Sequence, residues 1–191
     1  MAKVRLNPIL EQVRGKVGEL VFKRSGDQVI ISRKADLSEH EATEAQLAVR
    51  ERFRQATLYG KMILADPDTR QLYEAAAKSK GKPVFSLTIA DFFNAPSVDE
   101  VDMANYTGKA GDSIVVKAHD DFQVAGVTVS LSDADGTAIE SGEALQSPPN
   151  SGRWVYTATT TIATGTQVRV LVTATDRPGG TGSSEAQKTI A

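Results

Sequence analysis

The chain has 191 residues, 40% apolar and 24% charged, with no cysteine and a formal net charge of −2. These totals suit ordinary globular material with room for one large domain or two small ones, and they exclude a disordered chain, a disulfide scaffold, thiolate metal sites and a cysteine nucleophile. The longest apolar runs, Met62 to Ala65 among them, span about four residues where a membrane-crossing helix needs about 20, so no membrane segment is expected.

The net charge conceals a split. Residues 1–95 carry 16 basic against 12 acidic side chains, giving +4, and residues 96–191 carry 6 against 12, giving −6. The period of the apolar residues changes at the same place, Asn94-Ala95-Pro96. Two domains are therefore expected, 1–95 and 96–191. The opening Met-Ala-Lys-Val-Arg-Leu-Asn-Pro lacks the apolar stretch and small-residue cleavage site of a secretory signal, which predicts synthesis in the cytoplasm.

Along the first half, two β-prone runs flank Ser25-Gly26-Asp27-Gln28 and predict a hairpin with strands at 19–24 and 28–33. Alternation puts Val21 and Lys23 on one face, Phe22 and Arg24 on the other. Thr43-Glu44-Ala45-Gln46 reads as a capping box, with Ser38-Glu39-His40-Glu41 as a second candidate, so a helix is expected to start near 39–44. Val49, Phe53, Ala56, Tyr59 or Gly60, and Ile63 form its apolar stripe up to about Ala65. Asp66-Pro67 starts a second helix, with Leu72, Tyr73, Ala76 and Ala77 as its buried side and Gly81 and Pro83 at its end. A third should run from a Ser86 cap through Leu87, Ile89, Ala90 and Phe93.

After Pro96 the period becomes two. Strands are expected at 98–103, 112–118, 124–132, 137–142, 153–161, 166–175 and 183–190, and seven short strands with turn signals every 8–12 residues are the signature of an immunoglobulin-like sandwich. Ile114, Val116, Val127, Val129, Trp154, Tyr156, Val170 and Val172 are its expected core. The fold class is thus an α+β N-terminal domain, a β-hairpin plus about three helices, followed by an all-β Ig-like sandwich.

Arg14-Gly15-Lys16-Val17-Gly18, Val21-Phe22, Gly26 with Val29-Ile30-Ile31-Ser32-Arg33, and Thr43-Glu44-Ala45-Gln46 with Arg50, Arg52 and Phe53 together resemble a module of small phage and prophage proteins and related bacterial gene clusters, over about residues 7–93. The second half resembles bacterial Ig-like domains through Asp120-Asp121-Phe122, Asp133-Ala134-Asp135-Gly136 and Ala174-Thr175-Asp176-Arg177-Pro178-Gly179. The resemblance implies a structural or accessory component of a virion or virion-derived particle, with the Ig-like domain displayed. It implies no catalytic residues.

Several motifs have chemical readings that plainer ones outweigh. Gly15-Lys16-Val17-Gly18 has the Gly-x-x-Gly form that clamps nucleic-acid backbone in KH domains, and residues 1–34 hold 8 basic against 3 acidic side chains, Lys3 and Arg5 among them. KH loops join two helices, however, so a glycine-rich turn leading into the hairpin is the first reading. Asp133-Ala134-Asp135-Gly136 opens like a calcium loop, but its twelfth position is Ala144, which leaves a hairpin turn. Asp120, Asp121 and Asp176 are a weaker candidate set for calcium at one end of the sandwich, as in cadherin-like domains. His40 and His119 lack metal-ligand spacing. Ser79-Lys80-Gly81-Lys82 lacks the companion motifs of a serine nucleophile, and Gly179-Gly180-Thr181-Gly182 lacks the lysine of a P-loop and reads as a flexible loop.

The expectation is a non-enzymatic protein without cofactor or metal, attached through Arg14, Lys16, Phe22, Arg24, Val29 and Arg33 to a protein partner in a larger assembly, a homo-oligomer included, and incorporated into a particle. The alternative is a nucleic-acid-associated protein that uses the same basic hairpin.

Overall fold

The computed structural model describes residues 14–25, 28–35 and 41–191. It divides into two compact units, Met1–Leu47 and Ala48–Ala191. Lys3, Arg5, the Gly26-Asp27 tip of the expected hairpin and the Ser38-Glu39-His40 part of the second capping candidate lie outside the described residues.

The first unit holds a three-stranded antiparallel sheet, β1 (Gly15–Val17), β2 (Leu20–Ser25) and β3 (Gln28–Arg33), in the order β1-β2-β3. The hairpin is present, and Gly15–Val17 adds a strand where a turn was expected. Val17 pairs with Leu20 across Gly18-Glu19, and Gly18 sits at φ 58°. A positive φ at the first central residue of a two-residue link selects glycine, so Gly18 sets this turn.

The second unit contains two four-stranded antiparallel sheets, two helices and a third from Ala48 onward, the first turn of that helix falling in the first unit. α1 (Glu44–Ala65) begins on the Thr43 capping box: Thr43 N–H donates to Gln46 Oε1 at 3.2 Å and Gln46 N–H to Thr43 Oγ1 at 3.3 Å. In α2 (Pro67–Lys80), Asp66 caps by accepting from Thr69 N–H at 2.9 Å. The helix closes on left-handed Gly81, with Lys82 N–H donating to Ala77 O at 3.0 Å. α3 (Val84–Phe93) starts two residues before the expected Ser86 cap. Pro83 precedes it without any side-chain cap, its carbonyl accepting from Leu87 N–H at 3.1 Å. No helix among the described residues is long and apolar enough to cross a membrane.

The helices bury less than their stripes promise. Ala56, Gly60 and Ile63 of α1 are buried, whereas Val49 and Phe53, expected on the same buried face, stay mostly exposed. On α2, Tyr73 and Ala77 are buried and Leu72 is not. The covering elements are too short: α3 has 10 residues against the 22 of α1. Where the two helices meet they are close, since a Cβ on Gly60 would lie 2.5 Å from Thr88 Oγ1.

The seven expected strands all form: β4 (Ser97–Asp102), β5 (Ser113–His119), β6 (Val124–Asp133), β7 (Ala138–Glu143), β9 (Arg153–Thr157), β10 (Gln167–Asp176) and β11 (Thr181–Thr189). β9 stops four residues earlier than expected, and a two-residue β8 (Leu145–Gln146) extends its sheet. The sheets run β4-β5-β9-β8 and β11-β10-β6-β7. Strict alternation, as in β10 where Val168, Val170, Val172 and Ala174 are buried, sends one face of each sheet into a shared core with all eight expected residues. The Asp133–Gly136 segment is the β6–β7 turn: Asp133 Oδ1 accepts from Asp135 N–H at 3.0 Å and Thr137 N–H at 2.8 Å. The Gly179-Gly180 segment is a tight turn and not a flexible loop, because Asp176 Oδ1 accepts from both of its N–H groups, at 2.8 and 2.5 Å.

The expected boundary at 95/96 does not coincide with the separation of contacts, which falls at Leu47/Ala48. Helices and sandwich share one unit because the β5–β6 loop packs into the helices. Phe122 stacks on Tyr73 with ring centroids 3.6 Å apart, Asn94 Nδ2 donates to Asp121 Oδ2 at 2.5 Å, and Lys80 Nζ donates to the Asp121 carbonyl.

Two predictions follow from this packing. A Cβ on Gly182 would lie 1.8 Å from the Pro96 carbonyl oxygen, which is backbone, whereas one on Gly126 would meet only Thr175 Oγ1 at 3.4 Å. Gly182→Ala is expected to cost at least the upper end of about 1–3 kcal/mol and Gly126→Ala well under that, as read from thermal melts. Phe122→Ala is expected to remove about 2 kcal/mol from a single cooperative transition of the second unit. A helical signal melting apart from the sheet signal in the wild-type chain would contradict the shared unit.

Candidate attachment surface

The hairpin sheet carries five of the six expected attachment residues within its strands, with Arg14 just before β1. Its register sorts them. Gly15 pairs with Phe22 and Phe22 with Ile31, Val17 pairs with Leu20 and Leu20 with Arg33, so one face gathers Val17, Leu20, Phe22, Val29, Ile31 and Arg33. Lys16 pairs with Val21, and Val21 with Ser32, which sets Lys16 on the opposite face with Lys23 and Ile30. The Arg24 backbone pairs with that of Val29.

The structure therefore brings Phe22, Val29 and Arg33 together and separates Lys16 from them. Three apolar neighbours on that face, Val17, Leu20 and Ile31, were absent from the expected set. They are 41–64% exposed, an unusual density of open apolar side chains for so small a sheet. The signal for Val17 and Leu20 was the Gly18-Glu19 pair between two β-branched runs, a two-residue hairpin link read instead as part of a Gly-x-x-Gly turn. With Gly15 and Val17 in a strand, that motif is not a loop joining helices.

Of the weaker calcium set, Asp120 and Asp176 lie close enough to act on each other, while Asp121 is engaged elsewhere. Asp121 Oδ1 stands 3.6 Å from Lys82 Nζ, and the Asn94 amide on its other oxygen holds this carboxyl below its ordinary range. Asp176 is occupied by the Gly179-Gly180 turn. Among the described residues no three His, Cys, Asp or Glu side chains are grouped to hold a metal ion. His119 is exposed, its Nδ1 2.7 Å from Asp99 Oδ2.

A second polar centre lies in the helical layer, unforeseen from the sequence. Tyr59 OH and Tyr73 OH, 3.0 Å apart, both donate to Asp91 Oδ2, at 3.0 and 2.5 Å. One carboxylate thus ties α1, α2 and α3. Asp91 is completely buried, and desolvation pushes its carboxyl up to about 6 against the pull of the tyrosine hydrogen bonds. Burial likewise raises both tyrosine hydroxyls. Single apolar-to-polar changes give this centre no warning in sequence, since Asp91 sits in Val84–Phe93, an otherwise apolar helix.

No protein-family model matches the chain, and no curated protein sequence matches it. Solved structures do show partial likeness. CopC from Methylosinus trichosporium OB3b is 14% identical, over 49% of this chain and 91% of that one, with a TM-score of 0.37. A tetra-tandem repeat from the extending region of a large adhesion protein is 18% identical, over 51% of this chain and 24% of that one, with a TM-score of 0.37. A conjugative transposon lipoprotein from Bacteroides eggerthii DSM 20697 is 14% identical, over 48% of this chain and 94% of that one, with a TM-score of 0.25.

The open apolar face generates a direct expectation. Ile31→Asp should reduce binding of an environment-sensitive apolar dye to the native chain, while the stability of the Ala48–Ala191 unit, read from its thermal melt, changes by no more than about 0.5 kcal/mol, as for a surface change.

Proposed function

We propose that this chain is a non-enzymatic structural or accessory component of a phage or phage-derived particle, attached through the hairpin sheet and displaying an Ig-like sandwich. The observation that carries this reading is the open face of the three-stranded sheet, where Phe22, Val29 and Ile31 lie beside Arg33 in a unit separate from the sandwich. An apolar patch beside a cation offers a protein partner both area to bury and a charge to match.

For the sandwich, the Ig-like assignment is supported by strand order. If β4 to β11 are lettered A, B, C, C′, D, E, F and G, the sheets read A-B-E-D and G-F-C-C′, the arrangement of immunoglobulin-type domains. Tryptophan on such a scaffold belongs in the core, and Trp154 is buried on β9.

The experiment is to purify particles from the source organism and look for the protein by mass spectrometry. It is expected there at stoichiometric level. Phe22→Ser with Ile31→Asp should abolish incorporation, while Lys16→Glu, on the other face, should leave it within about twofold. Absence of the wild-type chain from particles would overturn the proposal. Binding of duplex DNA at low salt that Lys16→Glu abolishes would favour a nucleic-acid role instead, since each lost phosphate contact lowers affinity and its salt dependence.

A further inference from the structure

Asp91 and Asp120 meet where α3 packs against the β5–β6 loop. Each uses one oxygen conventionally: Asp91 Oδ2 accepts from the two tyrosines, and Asp120 Oδ2 accepts from Phe122 N–H at 3.1 Å and Gln123 N–H at 3.2 Å. The other oxygen of each, Oδ1, is buried without a partner. Asn94, one helical turn beyond Asp91, meets Asp121 beside Asp120, and Tyr73, which donates to Asp91, stacks on Phe122, so the two carboxyls are neighbours. Two buried acceptors side by side cost free energy twice over, as unpaired polar atoms and as like charges, unless a proton sits between them.

The surroundings supply no other remedy. Tyr59 faces Asp91 from α1 and Tyr73 from α2, both already donating to Oδ2. Asp176, at the end of β10, acts on Asp120 as a further like charge. Arg177 bears on Tyr59 at the rim, and Lys80 and Lys82 are engaged with Asp121. No salt bridge reaches Asp91 or Asp120 among the described residues.

We propose that Asp91 and Asp120 form a proton-operated latch, in which one shared proton holds the Asp120-Asp121-Phe122 loop against the helices and its loss loosens that contact. The direction follows from linkage. Asp91 in the folded chain holds its proton up to about 6, above the ordinary 3.8, so the latch is fully closed below the ordinary value and weakens as pH rises through about 6. Mild acid tightens the joint between helices and sandwich, and neutral pH slackens it.

The test is amide hydrogen exchange at Phe122 and Gln123, corrected for intrinsic rates, on the full chain between about pH 5 and pH 7.5. Wild-type protection is expected to fall by about tenfold as pH rises across this range, a factor of ten for the one unit between pH 5 and the proton affinity of Asp91 near 6. Asp91→Asn places an amide donor against Asp120 Oδ1 and keeps an acceptor for the tyrosines, so its protection should be high and flat. Asp120→Asn, which retains the acceptor for Phe122 and Gln123, should be flat as well and guards against a folding defect in the first variant. Flat wild-type protection, or a pH dependence that survives in both variants, would falsify the latch. So would millimolar calcium abolishing the wild-type dependence, because a cation and not a proton would then occupy the gap.

Discussion

The stack of Phe122 on Tyr73 is the contact on which the arrangement of the second unit depends. The rings are nearly parallel, 11° apart, with centroids 3.6 Å apart. Face-to-face overlap is not the orientation that aromatic quadrupoles favour, so its worth comes from area removed from water rather than from ring electrostatics. That burial fixes the residues on either side. Once Phe122 is seated, Asp121 must meet the C-terminus of α3 at Asn94 and the end of α2 at Lys80 and Lys82, and Asp120 must meet Asp91. Three consecutive residues thereby contact two helices with three different chemistries, one apolar, one ionic and one in need of a proton.

The sandwich was largely legible because its signal is local and repeated. Each strand alternates in its own sequence, and each turn carries its own Gly, Asp or Asn, so errors do not propagate along the chain. The β9 end was misjudged because Thr159, Thr160 and Thr161 are β-prone, yet Glu140 accepts from Thr159 N–H and Thr160 N–H at 2.9 Å each and pulls that stretch out of the ladder. That contact spans 19 and 20 residues of sequence and leaves no mark in the periodicity of either segment.

The helical layer was legible in its caps and illegible in its burial. Thr43, Asp66 and Gly81 act within four residues of their own positions, which is the range over which sequence states a structure outright. Whether Val49 or Leu72 is covered depends on the length of a neighbouring element, and a stripe records only which residues share a side. Of the hairpin sheet, the alternation of β2 and β3 was readable. The third strand was not, because Gly15 and Gly18 suggest a loop when taken by themselves and a strand with a tight turn only when Leu20 is available to pair with Val17.

The shift of composition at Pro96 and the separation of contacts at Leu47 record different things. Composition changes where secondary structure changes class, because helices and strands draw on different residues and different periods. Contacts separate where apolar surface stops being shared, and Phe122 and Asp121 carry shared surface across the compositional border into the helices. A boundary read from charge and period alone therefore marks a joint only if no loop beyond it inserts an aromatic side chain into the other half. The Asp120-Asp121-Phe122 triplet stood in the sequence as a mark of the second half, and its physical role is to bind that half to the helices. The consequence is that the basic hairpin, rather than the whole helical half, is the part of the chain with a separate set of contacts.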